Sequence, residues 1–141
     1  MDANELAARV AKAMLAGEGT GPAWGIRIEE AHDGYARVSM ELRPDMLNSH
    51  GIAHGGMIFA LADTAFAYVC NGSNHASVAA QASIVFLGKA EEGETLIAEA
   101  EEVAREGRAG VTRVSVRTSD GRAVAEFTGY SRTIGGAVVE V

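Results

Sequence analysis

The residues of this chain that could carry out chemistry lie at the start of one apolar segment and within it. The segment from His54 to Asn71 reads HGGMIFALADTAFAYVCN, and Asp63 is its only acidic residue. A carboxylate in apolar surroundings is costly unless it finds a partner, becomes protonated or takes part in a reaction. Gly55 and Gly56 open the segment, and glycine allows a ligand to approach the backbone closely.

These residue types together predict attack on a carbonyl group. The first N–H groups of a helix have no partner inside the helix and carry a partial positive charge. The glycine N–H groups could therefore polarise a carbonyl and hold the oxyanion that forms when it is attacked. Asp63 would act as the nucleophile or as the general base on a water molecule. Asn48 and His54 belong to the same constellation, His54 either by orienting the glycine turn or by touching the substrate.

The spacing of Gly55 and Asp63 constrains how they can cooperate. They are eight residues apart in the sequence, which is about 12 Å along a helix that rises about 1.5 Å per residue. One carbonyl carbon cannot lie close to both groups of a single chain. Cooperation therefore requires two subunits with their helices side by side, and the sequence predicts a homodimer with active sites at its interface. The alternative is a purely structural role, with Asp63 as a hydrogen-bonding group and the glycines serving packing.

Other kinds of site have little support. His50 and His54 have the spacing of two metal ligands on a helix, but Gly51, Gly55 and Gly56 disfavour a regular helix there. We therefore predict no metal site. The chain also lacks GxxxxGKS/T, GxSxG and GxGxxG, so the motifs of phosphate loops, serine hydrolases and dinucleotide-binding folds are absent.

The segment that carries Asp63 is predicted to be a buried helix. It is apolar on every face, which is typical of a helix enclosed by other elements, and it is too short to span a bilayer. A second, shorter helix is predicted over residues 3–17, with Asp2 or Asn4 as its cap and Gly17 at its end. Gly19 to Pro22 are predicted to form a linking turn.

The remaining segments read as strands. Trp24, Ile26 and Ile28 alternate with other residues, and Asp33-Gly34 is a typical two-residue hairpin turn. Residues 43–53 are predicted to form a loop. Runs of hairpins around a separate helix predict an α+β fold, in which one curved antiparallel sheet of about six strands encloses the central helix. The strand at 76–87 is predicted from Val78, Ala80, Ala82, Ile84 and Phe86, which alternate and would share one apolar face. The other predicted strands cover residues 35–42, 95–103, 111–118 and 123–134.

Composition narrows the class of protein further. The 141 residues suggest one domain, 1–141, and the net charge of −7 argues against a nucleic-acid surface. Cys70 is the only cysteine, so an intrachain disulfide is impossible. The first residues do not resemble a secretory signal, and we expect a cytoplasmic protein. Basic residues cluster in the C-terminal half, where they either bind an anionic ligand or are simply solvated.

Several motifs give the chain a recognisable resemblance. They are MLNSHG at 46–51, HGG at 54–56, LADTAFA at 61–67, SIVFL at 83–87 and SRTIGG at 131–136. Together they resemble the hotdog-fold acyl-CoA thioesterases, and more closely the phenylacetic acid degradation thioesterase subfamily. The resemblance extends over nearly the whole chain.

The resemblance implies a hotdog fold, a long helix wrapped by an antiparallel sheet, in homodimers that commonly form homotetramers. It implies hydrolysis of a phenylacetyl-CoA or hydroxyphenylacetyl-CoA-like thioester to the free acid and coenzyme A. Asp63 would attack the thioester or activate water, and the Gly55 N–H of the neighbouring subunit would polarise the carbonyl. Asn48 and His54 would lie near that carbonyl. Coenzyme A is part of the substrate, so no separate cofactor is expected.

Further residues are expected to bind the substrate. Where relatives often have a basic residue and proline, this chain has Gly88-Lys89-Ala90; Lys89 is still a candidate for the coenzyme A phosphates. Two rival functions stay open: a hotdog dehydratase or hydratase acting on a 2-enoyl or 3-hydroxyacyl thioester, and a non-catalytic acyl-CoA-binding module. The other candidate substrate-binding residues are Gly56, Phe59, Thr64, Phe66 and Arg132, and Tyr68 is a further candidate for the acyl pocket.

Overall fold

The N-terminal helix forms as the sequence predicts. In the computed structural model, which describes all 141 residues, helix α1 spans Ala3–Gly17. The Asp2 side chain accepts a hydrogen bond from the Glu5 N–H, and the Glu5 carboxylate accepts one from the Asp2 N–H. This reciprocal capping satisfies two of the N–H groups that a helix start leaves unpaired. Ala7 and Val10 face inward and are buried.

The segment after α1 corrects two expectations. Helix α2 occupies Thr20–Trp24, where we expected a turn followed by a strand from Trp24. Pro22 is compatible with this helix because it lies in the first turn, where the missing N–H would have no helical partner. Gly25 ends the helix with φ of 66°, a left-handed conformation that glycine adopts without strain. The first strand therefore starts only at Arg27.

A single antiparallel sheet contains all six strands. Their order in the sheet is β1-β2-β4-β5-β6-β3, so β1 and β3 form its two edges. The Asp33-Gly34 turn joins β1 to β2 as predicted. The strands are β1 at Arg27–His32, β2 at Tyr35–Glu41, β3 at Ser77–Phe86, β4 at Thr95–Glu106, β5 at Ala109–Thr118 and β6 at Ala123–Thr133.

Helix α3, at Gly55–Cys70, packs on one face of this sheet, which we call the inner face. The sheet approaches the helix closely at Gly129 of β6, where an added Cβ would lie 2.7 Å from the Phe66 ring. The sheet wraps helix α3 as predicted, with one face of the helix left open. One face, which includes Gly56, Asp63 and Thr64, stays partly exposed because no element of the protomer covers it. No helix of the structure has the length and apolar character to cross a membrane.

Edge strand β3 departs from the simple alternation that we expected. The pairing of β3 with β6 shifts between Ala79 and Gln81, and such a bulge reverses which side chains face inward beyond it. Ala82 and Ile84 pack against the core, whereas Val78, which we placed on the same face, is 47% exposed. The free edge of β3 leaves backbone groups unpaired beside helix α3.

Candidate active site

The start of helix α3 leaves one N–H group free. His54 is the N-cap, and its Nδ1 accepts a 2.8 Å hydrogen bond from the Gly56 N–H. The carbonyl oxygen of His54 accepts from the N–H groups of Met57, at 2.9 Å, and Ile58, at 3.2 Å. The Gly55 N–H has no acceptor in the protomer. Gly55, rather than Gly56, is therefore the residue whose N–H can bind an incoming carbonyl oxygen.

The same contact fixes the tautomer of His54. Because Nδ1 accepts a hydrogen bond, the proton of the neutral ring resides on Nε2. The His54 side chain is exposed, so its Nε2–H is a donor directed toward solvent or a bound molecule. The structure thus shows that His54 orients the glycine turn, and it leaves the other nitrogen available.

Asn48 stabilises the loop that leads to His54. Its Oδ1 accepts hydrogen bonds from the N–H groups of His50, at 2.9 Å, and Ile52, at 3.3 Å. Gly51 lies within this loop with φ of 76°, which favours glycine. The Asn48 Nδ2 group has no acceptor in the protomer. Asn48 therefore anchors the loop through its oxygen and keeps two N–H donors free on the side-chain nitrogen.

Asp63 lies two turns further along α3, on the partly exposed face. It forms no hydrogen bond or ion pair in the protomer, and burial raises its pKa above the ordinary value of 3.8. The neighbouring Thr64 hydroxyl donates instead to the carbonyl oxygen of Ala60, at 2.8 Å. The structural role that we considered for Asp63, a hydrogen-bonding group within the fold, is therefore not what the protomer shows. A half-buried carboxylate without a partner is typical of a functional group.

Lys89 lies in a loop that borders the loop before His54. The Ala53 N–H donates to the carbonyl oxygen of Ala90, at 2.8 Å, which joins the two loops. Gly88 permits this path, because an added Cβ would lie 2.4 Å from the Ala123 carbonyl oxygen. The Lys89 side chain is largely exposed, with its Nζ 3.7 Å from an oxygen of Glu91.

The aromatic candidates separate into core and surface residues. Phe66 is only 1% exposed and packs against Phe127, with ring centroids 5.8 Å apart. Tyr68 is also buried, and its hydroxyl donates to Glu18 of the N-terminal region, at 2.8 Å. Phe59 is partly exposed and meets Phe127 edge to face at 5.3 Å. Of these three side chains, only Phe59 is partly exposed, and it lies between Gly55 and Asp63 along the helix.

Arg132 lies apart from the start of α3. It is exposed on the outer face of β6, and its partner on β3 is Val78. The Phe86 end of β3, rather than the Val78 end, lies beside Gly55. The protomer therefore brings together Asn48, His54, Gly55, Gly56 and the Lys89 loop, and leaves Arg132 at the opposite end of the sheet.

Phe86 contacts the helix start, which the sequence reading missed. A Cβ placed on Gly55 would lie 3.1 Å from Cζ of Phe86, so the tip of the ring fills the space where a side chain of residue 55 would stand. Phe86 is nevertheless 52% exposed. The sequence pattern placed Phe86 on an inward face of a strand, but contained no signal that this strand end reaches Gly55.

The two histidines that could have paired as metal ligands are arranged differently from a helical pair. His50 lies in the turn before Gly51, and His54 is the helix cap. No group of three or more His, Cys, Asp or Glu side chains in the structure is placed to hold a metal ion.

Comparison with known proteins shows the family to which the chain belongs. The sequence model of the thioesterase superfamily matches residues 50–125, which include the Asn48 loop in part, the helix start and Asp63. This match covers just over half of the chain. The chain belongs to the thioesterase superfamily. This thioesterase has the hotdog architecture, with the central helix packed on a six-stranded antiparallel sheet.

Individual relatives place it among thioesterases of the phenylacetic acid degradation type. It is 39% identical over 128 residues to the acyl-coenzyme A thioesterase PaaI of Escherichia coli K12, covering 91% of each chain. The solved structure of E. coli PaaI, from the phenylacetic acid degradation operon, superposes with a TM-score of 0.94 at 38% identity, covering 96% of this chain and 99% of that one. A Streptococcus mutans UA159 protein bound to acetyl-CoA superposes with a TM-score of 0.77 at 28% identity, covering 79% of this chain and 90% of that one.

Proposed function

We propose that this thioesterase hydrolyses an aryl-type acyl-CoA, such as phenylacetyl-CoA or hydroxyphenylacetyl-CoA, to the free acid and coenzyme A. The observation that carries the proposal is a pair of unsatisfied groups on α3. The Gly55 N–H has no acceptor and the Asp63 carboxylate has no partner. A thioester provides an oxygen for the first group and an electrophilic carbon for the second.

The relatives support the choice of substrate. E. coli PaaI is named as an acyl-coenzyme A thioesterase and is encoded in a phenylacetic acid degradation operon. The S. mutans protein binds acetyl-CoA. An acyl-CoA is therefore the thioester to test first, and the phenylacetic acid degradation operon of the E. coli relative suggests an arylacetyl group as its acyl part.

The proposed catalyst is a homodimer formed through edge strand β3. An edge strand offers a row of unpaired backbone groups to another strand. Several apolar side chains at one end of this edge are exposed, which a second copy would cover. Antiparallel pairing of β3 with its own copy about a two-fold axis would satisfy the backbone and continue the sheet. These exposed side chains are Val85 at 60%, Phe86 at 52% and Leu87 at 57%.

The level of the two-fold axis follows from the catalytic pair. Helix α3 runs antiparallel to β3, since Gly55 lies beside Phe86 while Phe66, further along the helix, lies at Gly129, the partner of Ala82. Phe59 is midway between Gly55 and Asp63 in sequence and contacts Phe127, which pairs with Ile84. A two-fold axis that crosses β3 at Ile84 would therefore pass beside the midpoint of Gly55 and Asp63. It would place the partner subunit's Asp63 beside Gly55.

The reaction would then proceed across the interface. The Gly55 N–H binds the thioester carbonyl oxygen, and the partner subunit's Asp63 attacks the carbon or removes a proton from the attacking water. Negative charge develops on the oxygen, where the helix start stabilises it. The carbon–sulfur bond breaks, and the thiolate takes up a proton that comes from water. Where Asp63 attacks directly, water then hydrolyses the acyl–aspartyl anhydride, which releases the free acid and restores the carboxylate. Nε2–H of His54 and Nδ2 of Asn48 are further donors near these atoms.

Other residues are proposed to hold the substrate. Phe59 is the candidate among the helix aromatics because Phe66 is enclosed in the core. Gly56 and Thr64 line the partly exposed face of α3. Lys89 is a candidate for the coenzyme A phosphates, and Arg132 is a candidate only from the partner subunit, because within one protomer it lies at the opposite end of the sheet. The reaction uses protein groups only, so no resident cofactor is required. Assembly into tetramers and a cytoplasmic location stay predictions.

The test is release of free thiol from a panel of aryl, short-chain and long-chain acyl-CoAs, followed with a thiol reagent. We expect the highest kcat/KM with arylacetyl-CoA. Cys70 adds little background, since it is buried and burial raises its pKa to about 12. A dehydratase would instead consume a 2-enoyl or 3-hydroxyacyl thioester without releasing thiol. A binding module would bind acyl-CoA and leave it intact. Either of these results would overturn the proposal.

A further inference from the structure

Phe86 is the aromatic side chain that touches the proposed electrophilic donor. Its Cζ would lie 3.1 Å, and its Cε1 3.4 Å, from a Cβ on Gly55, so the edge of the ring is directed at the helix start. The ring nevertheless remains 52% exposed. A phenylalanine that is half-exposed beside an unpaired N–H group has one surface in contact with the protein, and its other surface faces the proposed interface, where the substrate would bind.

The strand register places Phe86 on the side of the sheet where the reaction would occur. Phe86 lies on the same face of β3 as Ala82 and Ile84, because the three alternate along the strand. Ala82 and Ile84 pack against the core on the inner face. The ring therefore lies between helix α3 and the free edge of the sheet. With a two-fold axis at Ile84, the partner subunit's Asp63 would approach this same space. Phe86 would then border the gap between the donor and the nucleophile.

We propose that Phe86 determines the specificity of this thioesterase by forming one wall of the acyl site. The inference rests on the proposed function and adds the residue that selects the acyl group. A carbonyl bound at the Gly55 N–H brings its acyl substituent within a few ångströms of Gly55, and hence against the ring. Aromatic rings prefer offset or edge-to-face contacts with centroids about 4.5–7 Å apart. An arylacetyl group would therefore gain a contact at Phe86 that a straight acyl chain makes only in part.

The experiment measures kcat and KM of the full-length protein with phenylacetyl-CoA and with butyryl-CoA, for wild type, Phe86→Ala, Phe86→Leu and Phe86→Tyr. We expect Phe86→Ala to lower kcat/KM for phenylacetyl-CoA about tenfold or more, and for butyryl-CoA less than about threefold. Phe86→Leu should also lose the aryl preference, because it keeps volume without a ring. Phe86→Tyr should retain it. Val85→Ala is the matched control, since Val85 is the adjacent exposed residue and lies on the opposite face of β3.

A merely structural role of Phe86 gives a different pattern. If Phe86 only stabilises the fold or the interface, the two substrates should lose activity equally and Phe86→Leu should behave like wild type; that result would overturn the inference. Unchanged selectivity in Phe86→Ala would overturn it as well. Light scattering and thermal unfolding of each variant separate loss of assembly from loss of selectivity. If wild type releases no thiol from any acyl-CoA, the proposed function fails and the inference fails with it.

Discussion

The N–H of Gly56 donates to Nδ1 of His54, and this single contact distinguishes the two glycines at the start of α3. Adjacent glycines in a sequence look equivalent, and either could be the donor to a carbonyl oxygen. In the folded chain the cap residue His54 accepts a hydrogen bond from the Gly56 N–H, and the N–H of Gly55 stays free. The geometry of the cap therefore assigns the donor, and it directs the remaining His54 proton away from the helix.

Replacement of Gly55 by proline removes this donor while keeping the helix. Proline is well tolerated at the first position of a helix, and it requires an extended residue before it. His54 already has φ of −65° and ψ of 135°. We expect Gly55→Pro to lower kcat by about 10²–10³-fold, the usual cost of losing one oxyanion donor. Steady-state thiol release, with circular dichroism to verify folding, checks this.

Gly55→Ala is the matched control for the proline variant. Alanine introduces a Cβ at the same place, close to the Phe86 ring, but retains the N–H. It should therefore keep most of the activity that Gly55→Pro loses. Equal losses in both variants would show that crowding against Phe86, rather than the missing donor, causes the effect.

The Asp63 carboxylate should shape both the pH profile and the pH dependence of stability. Asp63 acts only when ionised, and burial raises its pKa above 3.8. We therefore expect kcat/KM to rise with pH along an acid limb that lies above the range of an ordinary aspartate. Because the folded protein holds this proton to higher pH than the unfolded chain, the contribution of Asp63 to stability is greatest at low pH and falls as pH rises through the folded pKa.

Asp63→Asn makes that contribution measurable, since asparagine does not titrate. The variant should lose about 10²–10⁴-fold in kcat. Its Tm should exceed that of wild type near pH 7 and converge with it below about pH 3.8, where Asp63 is protonated in both states. Calorimetry across this pH range tests the linkage, and a Tm difference of constant size at every pH would contradict it.

Lys89 should contribute to binding of coenzyme A without affecting the chemical step. It is largely exposed and lies in the loop joined to Ala53 by a backbone hydrogen bond. We expect Lys89→Ala to raise KM for an acyl-CoA several-fold, an effect that weakens with added salt, and to leave kcat unchanged. For an acyl-pantetheine analogue, which lacks the nucleotide phosphates, Lys89→Ala should leave KM unchanged. Lys12→Ala, an exposed lysine on α1, is the control, and equal KM values with both variants would remove Lys89 from the binding site.

The proposed two-fold axis predicts which cysteine variants cross-link. Ile84 lies at the axis and faces its own copy, where Cβ atoms across an antiparallel pair lie about 4.5–5.5 Å apart. A single cysteine at 84 should therefore form disulfide-linked dimers under oxidation. A cysteine at 78 should not, because its two copies would lie about 40 Å apart along the strands, at about 3.3 Å per residue. The native Cys70 is buried, and cross-linking strongest at 78 would refute the axis position.

Periodicity and turn chemistry were sufficient to predict most of the fold. The central helix, the N-terminal helix and the Asp33-Gly34 hairpin all follow from local patterns of apolar residues and turn formers. Helix α2 was missed because five residues are too few for a periodic signal. The prediction that Val78 shares the inward face of β3 with Ala82 and Ile84 was wrong. The bulge between them is not visible in the sequence, where small and apolar residues alternate without interruption.

The candidate site was predictable in its residues but only partly in its arrangement. Residue types and the family resemblance selected Asp63, Gly55, Asn48 and His54 as candidates, and their catalytic roles stay predictions. They did not show that the Gly56 N–H donates a hydrogen bond to His54, nor that Phe86 reaches Gly55. Both depend on contacts that only the folded chain forms. The distance between Gly55 and Asp63 was the exception, since helical rise alone fixes it.

Subunit complementation tests the central claim, that each site takes Gly55 from one chain and Asp63 from the other. Asp63→Asn and Gly55→Pro homodimers should each be nearly inactive. Mixed by unfolding and refolding together, they form heterodimers in which one of the two sites combines an intact Gly55 with an intact Asp63.

Random mixing should therefore restore about one quarter of wild-type activity, since about half of the dimers are mixed and each has one working site. Thiol release from an equimolar refolded mixture measures this directly. If the mixture is no more active than the two variants assayed separately, the catalytic groups are not shared between chains and the account is contradicted.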